Sequence, residues 1–371
     1  MARGKTIAVL LLLAAGLGGF FFYDTYWLNP RREKVESAKG RIWTVEPKDV
    51  EAVTLVRPDG TVRLKRTADG GWEMLEPVKA RGDRAVVEDM VTTLATARMD
   101  REIDANPAKP ADFGLDPPQA EVRLEVKGQA QPLVLKVGGK NPTGVWVYAR
   151  EGAKPAVITL SETVSRDVTR PVADLRDHSV IAFDRRNVTG IDLDVEGDQI
   201  GVVADEPGKW RIVKPRALPA DSDIIATFLD KLEGAKATEF VDDAPKSLHP
   251  YGLDKPTRVT LWIGKDKDRS SRTLLVGRAV PDKKGVYVKR EGEAGVLLTA
   301  DALWTALPKN VAALRDKAVV HYAYDKLDRV EVVHGKDTIA LQKDGAGWKL
   351  TAPEGLKADS GAVTQLLWKV R

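Results

Sequence analysis

The chain has no cysteine among its 371 residues. That excludes disulfides, thiolate nucleophiles and zinc sites of the cysteine type, and it leaves no residue to carry the lipid of a lipoprotein. Histidine is nearly as scarce. His178, His249, His321 and His334 stand far apart, and none forms the His-x-x-x-His or His-Glu-x-x-His spacing that gathers a metal on one helix face. No Gly-x-Ser-x-Gly elbow marks a serine nucleophile. The glycine-rich run from Gly138 to Gly144 lacks the Gly-x-x-x-x-Gly-Lys-Ser/Thr order, and no helical stripe follows it to aim amides at a phosphate; it reads as a hairpin loop. Charge of one sign is missing too. The 58 basic and 54 acidic residues are mixed along the chain and leave a net charge of only +4, with no basic block interleaved with aromatics to meet a nucleic acid. Together these absences predict no cofactor, no metal, no nucleic-acid partner and no enzyme.

Long apolar runs are also rare, and the one exception is informative. Ile7 to Tyr23 is an almost unbroken apolar run of 17 residues, about 26 Å as a helix, at the short end for crossing a bilayer. Tyr23, Tyr26 and Trp27 follow it, the aromatics that favour a membrane interface. Arg3 and Lys5 give a basic start, so a cleaved signal peptide is the rival. The run exceeds a usual signal core, however, and no small-x-small cleavage site follows. Residues 1–30 are therefore expected to be an uncleaved, single-span membrane anchor. Basic residues on both sides, with Arg31, Arg32 and Lys34 after the span, leave its orientation open.

What the sequence does contain is a repeat. Trp72, Trp210 and Trp348 stand 138 residues apart, each with a proline five positions on (Pro77, Pro215, Pro353) and an aspartate eleven positions on (Asp83, Asp221, Asp359). Phe113-Gly114-Leu115-Asp116 with Pro118 is answered at the same interval by Tyr251-Gly252-Leu253-Asp254 with Pro256. Gly144-Val145-Trp146-Val147 aligns with Gly285-Val286-Tyr287-Val288, and Leu175-Arg176-Asp177 with Leu314-Arg315-Asp316, at intervals of 141 and 139. This drift places an insertion in the loop between Gly139 and Gly144, longer in the second copy. A period of this length is a duplicated domain, not a solenoid motif. The predicted units are 44–184, 185–324 and a partial third copy over 325–371. That half copy is expected to be a truncated domain or else a cap docked on the second.

Each copy reads as α+β. Val53 and Leu55, then Val62 and Leu64, alternate around Asp59-Gly60 as a hairpin. Asp83 then precedes Val86, Val87, Met90, Val91 and Leu94, a helical stripe; Ile224, Ile225, Phe228, Leu229 and Leu232 answer it, and so do Ala362, Val363, Leu366, Leu367 and Val370. Short alternating runs follow at 122–126, 133–137, 145–147 and 158–160, the pattern of antiparallel strands with a helix packed on one face. The three aspartates sit where an N-cap belongs, so capping explains them better than a carboxylate site. The three tryptophans read as core plugs rather than ligand platforms. The Arg176-Asp177 and Arg315-Asp316 pairs read as salt-bridging or chain-turning contacts between neighbouring copies.

The anchor, the Trp-x-x-x-x-Pro frame before a helix, the Gly-Leu-Asp-x-Pro landmark and the Leu-Arg-Asp segment together resemble domain-of-unknown-function family 4340, over nearly everything after Thr44. The resemblance implies a bacterial envelope protein like those encoded beside gliding-motility-type ABC transporter components, and it supplies no catalytic residues. The expected protein is a non-enzymatic scaffold or accessory factor, anchored in the inner membrane with its bulk in the periplasm, that binds ABC transporter subunits. The alternative is a module that binds envelope polymer or another ligand in a groove between copies near Trp146 and Tyr287. Those two aromatics are read as equivalent, with Val145 and Val147 turned to the core and the rings outward.

Overall fold

The computed structural model describes residues 40–318, 320, 322, 324–353 and 357–370. The expected anchor over 1–30 lies outside them, and among the described residues no helix is long and apolar enough to cross a membrane. The chain divides into two compact units between His178 and Ser179.

The first unit opens with the predicted hairpin, β1 (Val50–Arg57) and β2 (Gly60–Arg66), and adds β3 (Trp72–Glu76) and β4 (Ala80–Arg81). Helix α1 (Arg84–Ala95) then crosses to the opposite edge, where β5 (Arg101–Asp104) lies. Strands β6 (Ala120–Val126), β7 (Leu133–Lys140), β8 (Trp146–Glu151) and β9 (Val157–Ser161) fill the middle, giving the order β4-β3-β2-β1-β6-β7-β8-β9-β5. Every pairing is antiparallel. The alternation of apolar residues turns one sheet face inward, and α1 closes it with Val87, Met90, Val91 and Leu94, all fully buried. Burial of side chains this size is worth about 1.5–3 kcal/mol each. A second helix, α2 (Glu162–Val168), lies beside α1 and buries Val164 and Val168.

The second unit repeats this plan. Strands β10 (Val188–Val195), β11 (Asp198–Glu206), β12 (Lys209–Lys214), β13 (Leu218–Pro219), β14 (Ala237–Asp242), β15 (Thr257–Ile263), β16 (Ser270–Val280), β17 (Gly285–Arg290) and β18 (Val296–Ala300) take the same order, with α3 (Ser222–Gly234) between β13 and β14. Two short helices, α4 (Ala302–Ala306) and α5 (Val311–Leu314), follow. The third copy of the frame forms a three-stranded sheet, β19 (Arg329–His334), β20 (Asp337–Asp344) and β21 (Gly347–Ala352), with α6 (Ser360–Val370). Its core is Leu341, Trp348, Val363 and Leu367. The protein is thus α+β, built of tandem repeated domains.

The Gly-Leu-Asp landmark has a packing reason. Gly114 and Gly252 end short 3-10 turns with φ of +65° and +66°, a conformation glycine adopts without strain. The leucines that follow are buried against Gly138 and Gly277, where any Cβ would collide with the carbonyl oxygens of Phe113 and Tyr251.

One expectation is corrected by the strand registers. Val147 lies opposite Lys140 across β7 and β8, and Val286 opposite Ala279 across β16 and β17, so the loop around Gly139–Gly144 has equal length in both copies. The difference sits one hairpin earlier. Leu124 pairs with Leu133, nine residues on, whereas its counterpart Leu261 pairs with Arg272, eleven residues on.

Candidate functional site

The repeated frame is structural. Trp72 is buried, and its indole N–H donates to Glu88 Oε1 on α1 at 3.1 Å. The Arg66 guanidinium lies 4.5 Å over the ring and also pairs with Glu88. Partial burial pushes the Glu88 carboxyl up, yet the hydrogen bonds from Arg66 and Trp72 outweigh it and hold the group below the usual range. Pro77, Pro215 and Pro353 each follow a cis peptide bond. Trp348 is buried and Trp210 half-buried; the backbone N–H of each donates to the serine that opens the following helix, Ser360 at 3.1 Å and Ser222 at 3.2 Å.

The aspartates are caps. Asp83 Oδ1 accepts from the Val86 N–H at 3.1 Å, Asp221 from Asp223 and Ile224 at 3.0 and 3.1 Å, and Asp359 from Gly361 and Ala362 at 2.8 and 3.1 Å. The backbone on either side of each Arg-Asp pair closes a contact inside its own copy. The Asp83 N–H donates to Leu175 O and the Asp177 N–H to Arg81 O, both at 2.9 Å; Asp221 to Leu314 and Asp316 to Pro219 repeat this at 2.8 and 3.1 Å. The segment is a clasp that fastens the tail of each domain to the start of its helix.

Trp146 and Tyr287 are not equivalent. Across β8 and β9, Trp146 lies opposite Ser161 and Tyr148 opposite Thr159; across β17 and β18, Gly285 lies opposite Ala300 and Tyr287 opposite Leu298. Tyr287 therefore corresponds to Tyr148, and Trp146 to Gly285. Tyr287 is half-buried, packed on the Leu253, Leu275 and Val296 cluster. Val147 is buried as expected, but Val145 is 57% exposed, because the chain is still in the turn before β8.

Trp146 lines a groove of about 480 Å³ in the first unit. One wall is the end of α1, with Thr93 and Thr96, and the chain Ala97–Asp100 after it; the other is the start of α2, with Ser161, Thr163 and Val164. The glycine-rich loop positions the indole. Asn141 Oδ1 accepts from the Trp146 N–H at 3.1 Å while the Asn141 N–H donates to Trp146 O at 2.8 Å. The Ala97–Met99 wall is braced by Gly40–Ile42, through Met99 N–H to Gly40 O at 2.9 Å and Ile42 N–H to Ala97 O at 3.0 Å. Asp100 accepts from Arg101 Nε at 3.1 Å. Ser161 Oγ caps α2 by accepting from the Thr163 N–H, and Thr96 Oγ1 donates to Thr92 O. The lining thus offers an indole, a thioether and methyl groups beside the charges of Arg98 and Asp100. No group of three acidic or histidine side chains placed to hold a metal occurs among the described residues.

The second unit has a glycine, Gly285, at the place of Trp146. A Cβ at Gly285 would come within 2.8 Å of Thr299 O and 3.0 Å of the Leu298 side chain, so no residue like Trp146 fits. Met99, which also lines the first groove, carries no signal in the sequence that sets it apart. The second copy has Ala237 in its place, at the 138-residue interval of the tryptophans.

A family model described as a domain of unknown function, DUF4340, matches residues 72–209 and again 210–371. The chain belongs to this family. Each DUF4340 match opens on a tryptophan of the frame, Trp72 or Trp210, in the third strand of a sheet. No curated protein and no solved structure matches the chain.

Proposed function

We propose that this DUF4340 protein is a non-enzymatic accessory factor of the cell envelope, anchored by residues 1–30 in the inner membrane with its domains in the periplasm, that binds subunits of an ABC-type transport or motility complex. The observation that carries the binding role is the divergence of the two domains. Frame, caps and clasp are kept in both, while Trp146, which lines a groove of the first, gives way to the crowded Gly285 in the second. A concave surface with a few apolar side chains among polar ones is the usual form of an interaction site. The envelope setting and the identity of the complex rest on the apolar run at Ile7–Tyr23 and on the family resemblance. Crosslinking of the full chain in native membranes, with mass-spectrometric identification of the adducts, tests the reading. Adducts with ABC permease or ATPase subunits support it; intact protein that crosslinks to no such subunit overturns it.

The second reading is a module for an envelope polymer or small ligand. The groove favours it by size, since small-ligand pockets run to roughly 300–1,000 Å³. A ligand that quenches Trp146 fluorescence in the wild type and not in Trp146→Phe is the expected signature.

A further inference from the structure

We infer that the outer sheet face of the second domain carries a binding site for a small zwitterion of the amino-acid class, in a hollow above Gly201. The inference goes beyond the accessory reading and rests on none of it. The hollow holds about 160 Å³ and is lined by Asp192, Asp194, Gln199, Lys214, Arg258 and Thr260. Its floor is a glycine inside a strand, which marks a bulge, a bend or a place that a ligand or another chain approaches closely. A bulge does lie here, between Gly201 and Val202 where β11 meets β12. The first domain has its bulge at the same place, between Arg63 and Leu64 where β2 meets β3, and makes it with an arginine. Nor does the backbone call for glycine, since Gly201 lies outside the left-handed region. What the glycine provides is space. The nearest atoms to a Cβ there would be Asp192 Oδ1 at 3.1 Å and the Lys214 stem at 3.2 Å, so the hollow is walled by side chains that carry its charges.

The strand registers show that these positions change together. Asp192, Asp194, Gly201, Lys214 and Arg258 stand where the first domain has Thr54, Val56, Arg63, Glu76 and Glu121. In the first domain Arg63 reaches along the face to Glu125 at 3.1 Å. In the second that side chain is gone, and charges of both signs rim the space. Asp192 and Asp194 form the acidic wall on β10, and Lys214 forms the basic wall on β12. Asp192 Oδ2 accepts from the Trp262 indole N–H at 2.6 Å and Asp194 Oδ1 from the Gly197 N–H at 3.1 Å, contacts that hold one oxygen of each carboxylate in place. Arg258 is taken up by Glu291. Among the described residues neither aspartate is in an ion pair, and the Lys214 ammonium and the Gln199 amide have no hydrogen-bond partner. A ligand of one charge would meet a like charge at one wall, whereas a zwitterion meets an opposite charge at both, through the stronger, charge-assisted kind of hydrogen bond. The lining disfavours a sugar. Among the described residues no aromatic ring lines the hollow, and the Trp262 ring is covered by the Arg269 guanidinium at 4.2 Å. Size completes the argument: a cavity of about 150 Å³ takes benzene, so this one has room for a single small amino acid and not for a polymer.

Isothermal titration calorimetry of the full chain in detergent micelles tests the inference, with glycine, alanine and β-alanine as probes and acetate, methylammonium and glucose beside them. At least one of the amino acids is expected to bind, with an affinity about tenfold or more above that for acetate, methylammonium or glucose. Lys214→Glu and Asp194→Val, each giving the position its first-domain residue, weaken that binding about tenfold or more, as loss of a charged hydrogen-bond partner does. Gly201→Arg, which restores the side chain of the first domain, abolishes it. Because Lys214 is exposed and the first domain has glutamate there, Lys214→Glu remains folded even where Gly201→Arg does not. Acetate or methylammonium binding as tightly as the amino acids overturns the inference and leaves a simple ion site. Glucose binding that Lys214→Glu abolishes overturns it in favour of a polyol. Amino-acid binding unchanged in Lys214→Glu and Asp194→Val overturns the hollow as the site, and no amino-acid binding at all overturns the inference outright. None of these outcomes bears on the accessory reading, which the crosslinking experiment decides separately.

Discussion

Tyr148 meets Phe113 edge to face, with ring centroids 5.1 Å apart. Tyr287 and Tyr251 repeat the contact at the same 5.1 Å, which ties the landmark turn to β8 in one domain and to β17 in the other. Tyr148→Leu and Tyr287→Leu are each expected to lose about 0.5–1.5 kcal/mol beyond the change in buried area, read by urea unfolding. A Trp146→Leu substitution that cost as much as these, with the tyrosine variants neutral, would refute the equivalence of Tyr148 and Tyr287.

The caps make a second prediction. Asp83→Ala and Asp221→Ala each remove the acceptor of a helix's first turn and should destabilise by ~0.5–2 kcal/mol, with Asn in place of Asp restoring most of it. Thermal unfolding of the paired variants decides the matter; an Ala variant as stable as wild type at either site counts against capping there.

Glu88 gives stability a pH dependence. Its folded carboxyl titrates below the ordinary range, so the Arg66 and Trp72 contacts contribute fully above the unfolded value of about 4.3 and are lost as pH falls through the lower folded value. Glu88→Gln should therefore cost ~1–2 kcal/mol near neutral pH, and the gap from wild type should close in acid. Denaturant unfolding at pH 7 and pH 3 measures both; a gap that widens in acid contradicts the assignment.

Asp167 is fully buried in α2 and accepts from Arg170 at 2.8 Å, while the second domain has Ala306 and Lys309 at these places. Arg170 keeps a quarter of its side chain in water, so Asp167→Ala should fall near the low end of the cost of breaking a buried pair, about 3 kcal/mol. The double change to Ala and Lys, copying the second domain, should recover part of it in the same unfolding assay. A double variant no better than the single one would show that the pair is not the source of the cost.

The frame, the caps and the α+β plan were legible because each rests on local chemistry. Asp83 before a stripe of Val87, Met90, Val91 and Leu94 states a helix start without any tertiary knowledge. The slip at Trp146 has an equally physical origin. A strand alternates with period two, so an error of two residues keeps every inward position inward, and Gly-Val-x-Val occurs on both sides of the true alignment. Only the cross-strand partners, Ser161 for Trp146 and Ala300 for Gly285, distinguish the two registers. Met99 and Val145 were illegible for another reason: an apolar residue that faces water looks, in sequence, like one that faces the core.

The clasp from Leu175 to Asp83, repeated from Leu314 to Asp221, bears on how such a chain came to be. Each domain carries its own fastening within the stretch that was copied. A gene that doubles this stretch therefore yields a second product already latched, with no new contact to evolve before it folds, and mutation is then free to remodel one copy while its sibling keeps the ancestral surface.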